Sequence, residues 1–233
     1  MLFLYHILIL IILIFSPIII IYRILKSKED KKRYKEKFSI PSKKRIQGKL
    51  IWFHGASVGE ILSVVPLIKN FEKDKSIGQI LVTSSTLSSS KILKKFKFKK
   101  TIHQFYPIDN IFLTNKFLRF WKPSMAVFID SEIWPCMYQI INKKKIPLIL
   151  LNARLTKKTF ERWMRLGEFG RSIFSKITIA FPQNLETKKY LKKLNVRKIN
   201  HLGNLKFAEN LEENLNKINS NLKRELAKKK IWV

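Results

Sequence analysis

One stretch limits the fold of this chain more than any other: Ile51-Trp52-Phe53-His54-Gly55-Ala56-Ser57-Val58-Gly59-Glu60. It begins as a run of large apolar residues, as a buried strand does. It then breaks into small residues, including two of the seven glycines in the chain. After Glu60 the spacing changes: Ile61, Leu62, Val64, Val65, Leu67, Ile68 and Phe71 recur with helical period. Strand, tight turn and helix in succession form the opening unit of an open α/β sheet. In such sheets the turn lies at the carboxyl edge of the strands, where ligands bind. Pro66 falls inside the helical run and predicts a kink or a delayed start there.

The rest of the chain repeats this alternation. Strand-like runs fall at 50–54, 79–83, 102–106, 125–129, 146–151, 177–181 and 199–202, with helical patterns between them. Such alternation predicts right-handed βαβ units and a Rossmann-like parallel sheet covered on both faces. Residues 210–230 are charged and helical in pattern, and residues 231–233 read as the start of another strand. The aromatics Trp52, Phe53, Phe105, Tyr106, Phe117 and Trp121 read as core.

The turn contains neither a Walker loop nor a dinucleotide fingerprint. A carboxylate, Glu60, stands where a phosphate-binding loop would carry lysine. An ionised carboxylate in the first turn of a helix is favoured by the helix dipole. It has the chemistry of a general base that takes a proton from an attacking hydroxyl. A glutamate there also caps its own helix, and the stretch alone leaves both roles open. The run from Thr83 to Ser90 is open in the same way: its hydroxyls suit a sugar or phosphate, and equally an N-cap and loop.

The first residues carry a second constraint. From Leu2 to Tyr22 the chain is apolar apart from His6, Ser16 and Pro17, just long enough to span a bilayer. Arg23, Lys26, Lys28, Lys31, Lys32, Arg33, Lys35 and Lys37 follow. The positive-inside rule places that flank, and the chain after it, in the cytoplasm. The expected organisation is a transmembrane anchor at 1–23 and a basic segment at 24–49 lying on anionic head groups. A Rossmann-like domain follows at 50–210, then a helix at 211–233. With 47 basic against 16 acidic residues the formal charge is +31, which suits anionic partners. No helix-turn-helix, zinc finger or ribonucleoprotein motif points to nucleic acid. Cys136 is the single cysteine, so neither an intrachain disulfide nor a cysteine-based metal site is available. His54, His103 and His201 are not spaced as metal ligands, and no metal is expected.

Six motifs occur in one order: His54-Gly55-Ala56-Ser57-Val58-Gly59-Glu60, Leu81-Val82-Thr83-Ser84-Ser85-Thr86, Tyr106-Pro107-Ile108-Asp109, Asp130-Ser131-Glu132-Ile133-Trp134-Pro135, Leu151-Asn152-Ala153-Arg154-Leu155 and Gly203-Asn204-Leu205-Lys206-Phe207. In that order and at those intervals the chain resembles the amino-terminal half of the 3-deoxy-D-manno-octulosonic acid (Kdo) transferases of lipopolysaccharide synthesis. The resemblance implies the acceptor-binding domain of a two-domain GT-B glycosyltransferase. It also implies a second, donor-binding domain that would begin near residue 231. The implied reaction is inverting transfer of Kdo from CMP-Kdo to a lipid A precursor, with no cofactor beyond the donor substrate. The implied site is the cytoplasmic face of the inner membrane.

The resemblance also assigns roles. Glu60 matches the general base. Glu132 matches a residue that stabilises positive charge at an oxocarbenium-like transition state. Lys206 matches a second stabilising position. Gly55, Ser57 and Gly59 would shape the turn and leave room for the acceptor. Asn152 and Arg154 end a strand, where Arg suits a phosphate or carboxylate as well as a structural ion pair. Asp130-Ser131-Glu132 also has the form of a metal-holding D-x-E motif, as in GT-A enzymes. The family order argues against that reading. Asp130 replaces the glutamate usual in the family, and Cys136 its asparagine. A chain holding only the acceptor half would need a separate donor-binding chain.

Overall fold

The computed structural model describes residues 2–203. Lys206 and the patterns predicted at 210–230 and 231–233 lie outside the described residues. Six strands form one parallel sheet: β1 (Lys49–His54), β2 (Ile77–Ser84), β3 (Thr101–Phe105), β4 (Met125–Ile129), β5 (Leu148–Ala153) and β6 (Ile179–Pro182). Their spatial order is β3-β2-β1-β4-β5-β6, the order of a doubly wound Rossmann sheet. The run at 199–202 contributes a single parallel bridge, Ile199 to Ala180, and not a strand of its own.

Burial on both faces explains why the strands read as continuous apolar runs. In β1, Leu50 and Trp52 enter one core with Phe128, Tyr138 and Phe174. Ile51 and Phe53 enter the opposite core with Ile61, Ile68 and Val82. The six aromatics expected in the core are all buried. The same period of two sends His54, the last residue of β1, to the Trp52 face.

Helices α2 (Val58–Ser63) and α3 (Val65–Lys73) follow β1. The run read as one helix is two, joined at Val64, with Pro66 in the first turn of α3. A proline there needs no amide partner, whereas inside a continuous helix its ring would clash with the preceding turn. Helix α4 (Leu87–Leu93) follows β2, α5 (Ile111–Trp121) precedes β4, and α6 (Pro135–Lys143) follows it. Helices α7 (Lys157–Arg165) and α8 (Glu168–Phe174) link β5 to β6, and α9 (Leu185–Lys193) follows.

Before the sheet comes α1 (Leu2–Leu25), the one helix among the described residues long and apolar enough to cross a membrane. Pro17 cannot bond the Leu13 carbonyl, and the Ser16 hydroxyl does so instead at 2.7 Å. Ile9, Ser16 and Ile20 are buried along one stripe, while Leu8, Ile11, Phe15 and Ile18 face outward. Tyr5 Oη donates to Asp109 Oδ2 at 2.6 Å, so the amino end of α1 touches the sheet domain. The basic segment folds back on the outer strand. A 3-10 turn (Tyr34–Phe38) buries Glu36, which accepts from the Phe105 amide at 2.7 Å and pairs with Arg33.

Candidate active site

The chain reverses its winding between β1 and β4, and their carboxyl ends open a crevice there. Two predicted residues flank it. Glu60 lies in the first turn of α2, just after β1, and Glu132 follows β4.

Glu60 is held by its own turn. Ser57 is the N-cap of α2, and its hydroxyl accepts from the Glu60 amide at 3.3 Å while donating to Glu60 Oε1 at 2.7 Å. The Ala56 amide donates to Oε2 at 2.8 Å. This is the reciprocal arrangement of a capping box, displaced by one residue at its amide. Gly55 permits it: a Cβ there would lie 3.0 Å from Glu60 Cβ and 3.2 Å from the Ile129 side chain. Gly59 differs. Among the described residues a Cβ there would meet nothing within 4 Å, so their packing does not require glycine and they leave open space beside Glu60. Burial pushes the Glu60 carboxyl above its ordinary value. The Ser57 and Ala56 bonds oppose this, while the charges of Glu132 and Asp130 add to it. The cap therefore also holds a carboxylate of raised proton affinity at the crevice.

Glu132 is held from the other side. Its Oε2 accepts from His54 Nε2 at 3.1 Å and Trp134 Nε1 at 2.9 Å. Burial pushes this carboxyl up, but the His54 hydrogen bond and charge, with the Trp134 bond, leave it below the ordinary value. Of two neighbouring carboxyls, one is thus biased toward the proton and the other toward the anion. The loop bearing Glu132 is fixed by Asp109, which belongs to the Tyr106-Pro107-Ile108-Asp109 motif. Helix α6 has no side-chain cap from its own N-cap residue, Trp134. Asp109 supplies one, accepting from the Cys136 amide at 3.0 Å and the Met137 amide at 2.8 Å. Tyr138 Oη donates to the Glu132 carbonyl at 2.9 Å.

Asn152 and Arg154 lie at the end of β5, next to β4. Asn152 is buried, and both Asn152 (φ 50°) and the half-buried Asp130 (φ 61°) lie in the left-handed region. The Arg154 amide donates to the Asp130 carbonyl at 3.4 Å, and its side chain is exposed. The structure therefore sets Gly55, Ser57, Gly59, Glu60, Glu132, Asn152 and Arg154 along one sheet edge. The serine run caps α4: Thr86 accepts from the Ser89 amide at 3.2 Å, and Ser89 Oγ donates to the Ala56 carbonyl at 3.3 Å.

A cavity of about 460 Å³ lies elsewhere, on the outer flank of β3, beside Arg33, Lys43, Lys94, His103 and Phe98. Several of its polar groups are already partnered: Arg33 with Glu36 and His103, Ser90 with the Leu87 carbonyl, Thr101 with Glu72. Burial first, then Arg33 and Lys94, push His103 down to about 3, so it is a neutral structural group. None of the residues predicted for the site lines this cavity.

Sequence reading did not find the support of Glu132. His54 stood in a motif but was weighed only as a metal ligand, and Asp109 had no role. The period of two in β1 could have placed His54 on the Trp52 face. Its pairing with Thr83 and Glu132 depends on strand order.

Comparison with known proteins agrees with this geometry. The family described as 3-Deoxy-D-manno-octulosonic-acid transferase (kdotransferase) matches residues 32–209. A 3-deoxy-D-manno-octulosonic acid transferase of Rickettsia bellii is 39% identical over 212 residues, covering 88% of this chain and 50% of that protein. One from Rickettsia felis is 42% identical over 182 residues, covering 74% of this chain and 38% of that protein. The chain thus spans about half the length, or less, of these curated relatives. Among solved structures, the UDP-GlcNAc 2-epimerase of Neisseria meningitidis superposes with a TM-score of 0.50 at 16% identity. That match covers 77% of this chain and 53% of the epimerase, a likeness of fold alone. A family match over most of the chain, on a Rossmann-like sheet, establishes that this chain belongs to the Kdo transferase family.

Proposed function

We propose that this chain forms the acceptor side of a Kdo transferase that moves Kdo from CMP-Kdo to the lipid A precursor lipid IVA. The observation that carries the reading is the opposed pair of carboxyls across the β1–β4 crevice. Glu60, of raised proton affinity, takes the proton of an acceptor hydroxyl as that oxygen attacks the anomeric carbon. The new C–O bond forms opposite the departing CMP, so configuration inverts. Glu132, kept anionic, faces the positive charge that develops on the sugar. Open space at Gly59 admits the acceptor, and Arg154 meets its phosphate. Lys206 is assigned by its motif to the donor's negative charge. No metal or cofactor has a step here. Helix α1 attaches the chain to the inner membrane, with the sheet domain on the cytoplasmic side and its basic surface toward anionic lipid.

Two observations favour refinements. The matched length of the relatives favours an acceptor half that works with a donor-binding half, in one chain or as a separate subunit. The Tyr5–Asp109 contact and the buried stripe of α1 favour attachment along the membrane face over a single straight passage through it.

The test is transfer from CMP-Kdo to lipid IVA by the purified chain, alone and with a donor-binding half supplied. Glu60→Gln is expected to lower turnover by about 10²–10⁴-fold. Turnover that survives Glu60→Gln refutes the base assignment.

A further inference from the structure

His54 is wholly buried, yet it is bonded on both sides of its ring. Nδ1 lies 3.0 Å from Thr83 Oγ1 and 3.2 Å from the Thr83 carbonyl. Nε2 lies 3.1 Å from Glu132 Oε2. Thr83 is the register partner of His54 across β1 and β2, and its hydroxyl accepts from Trp52 Nε1 at 2.9 Å. The ring stacks on Tyr106 at 3.8 Å and 22°, with Phe128 edge-on at 5.0 Å.

An ionised carboxylate only accepts hydrogen bonds. Nε2 therefore carries a proton whether the ring is neutral or charged. In the neutral ring the Thr83 hydroxyl donates to Nδ1; in the charged ring Nδ1–H donates to the Thr83 carbonyl. Either way the Nε2–H bond points to Glu132. His54 and Trp134 both reach Oε2.

We propose that His54 is a positioning residue for Glu132, with Trp52 and Thr83 fixing its ring so that Nε2–H holds the carboxylate at the β1–β4 crevice. The role rests on the reading of Glu132 as the stabilising anion. A histidine placed only for packing would be satisfied by Thr83 and Tyr106 alone. The other groups facing Glu132 are Glu60 from α2, Tyr106 from the loop after β3, and Tyr138 from α6, while Asp130, two residues earlier in the same loop, adds its charge at Glu60. Burial holds both tyrosines well above their ordinary value, so neither ionises in the range where carboxyls titrate.

The test is a carbon-13 NMR titration of the chain labelled at the glutamate carboxyl carbons, with the Glu132 signal identified by its loss in Glu132→Gln. His54→Phe is expected to move the Glu132 midpoint up by about one unit or more, since a charge-stabilising donor is lost. His54→Gln keeps an N–H at similar reach and should restore at least half of that shift. Thr83→Val leaves the ring but frees it, and should move the midpoint the same way by less, in a variant of nearly unchanged volume. An unmoved Glu132 midpoint in His54→Phe and Thr83→Val, or a His54→Gln titration equal to that of His54→Phe, overturns the proposal. The titration needs no turnover, so it is separable from the wider reading. Normal transfer by Glu132→Gln would remove the catalytic role of Glu132 while leaving its coupling to His54 intact.

Discussion

At the scale of residues, the two glycines of the turn separate packing from function. At Gly55 a methyl group would press on Glu60 Cβ and Ile129. Gly55→Ala is expected to cost about 1–3 kcal/mol of stability by chemical denaturation. At Gly59 a methyl meets nothing among the described residues, and alanine suits a helix better by roughly 0.5–1 kcal/mol. Gly59→Ala should therefore be as stable as the parent or more so, yet slower in transfer if the acceptor occupies that space. Equal rates would show that it does not. Protonation offers a second test. Because Glu60 is pushed up, chiefly by burial, its ionised fraction should fade at a higher pH than that of a free glutamate. The acid limb of a pH–rate profile should sit correspondingly high, and Glu132→Gln, removing a like charge, should move it down. The signs for stability are opposite. Glu132, pushed down, contributes stability above the unfolded glutamate value that is lost as pH falls through its folded value. Glu60, pushed up, binds a proton more tightly when folded, so stability is lost as pH rises from the unfolded value through the folded one.

At the scale of elements, the loop that presents Glu132 depends on a residue from another loop. Asp109 is buried, is pushed up by that burial, and accepts from two amides of α6 and from Tyr5. Asp109→Ala leaves the two amides unpartnered, and a loss of about 1–3 kcal/mol is expected in a denaturant titration. Glu132 and Trp134 lie at the start of α6, so turnover should fall in the same variant before the sheet unfolds. Retained turnover would show that the helix start holds without its cap. Tyr5→Phe removes one of the three donors and should loosen α1 with little effect on the sheet, read as faster amide exchange in α1 alone.

At the scale of the molecule, a basic chain carries an apolar helix whose outward face is bare. Two forces then act on it at an anionic bilayer. Attraction to the lysines and arginines weakens as salt shortens the Debye length to roughly 3 Å at 1 M. Burial of Leu8, Ile11, Phe15 and Ile18 does not. Co-sedimentation with anionic vesicles should therefore persist in high salt for the whole chain. It should become salt-sensitive once residues 1–25 are removed. Salt-resistant binding by the shortened chain would assign the attachment to another surface.

The alternating pattern, the break at Pro66 and the apolar first segment were legible because each is a local property. Period, propensity and proline geometry act over a few residues of backbone. The place of Glu60 in the first turn of a helix was legible for the same reason, since Ser57, Ala56 and Glu60 share one turn. Local pattern did not reveal how Glu132 is held. His54, Thr83, Trp134 and Asp109 come from four separated stretches, and they meet only because β1 lies between β2 and β4. Helical or strand pattern says which face a residue takes. Which distant residue shares that face follows from strand order and register, and those are settled only when the whole sheet packs.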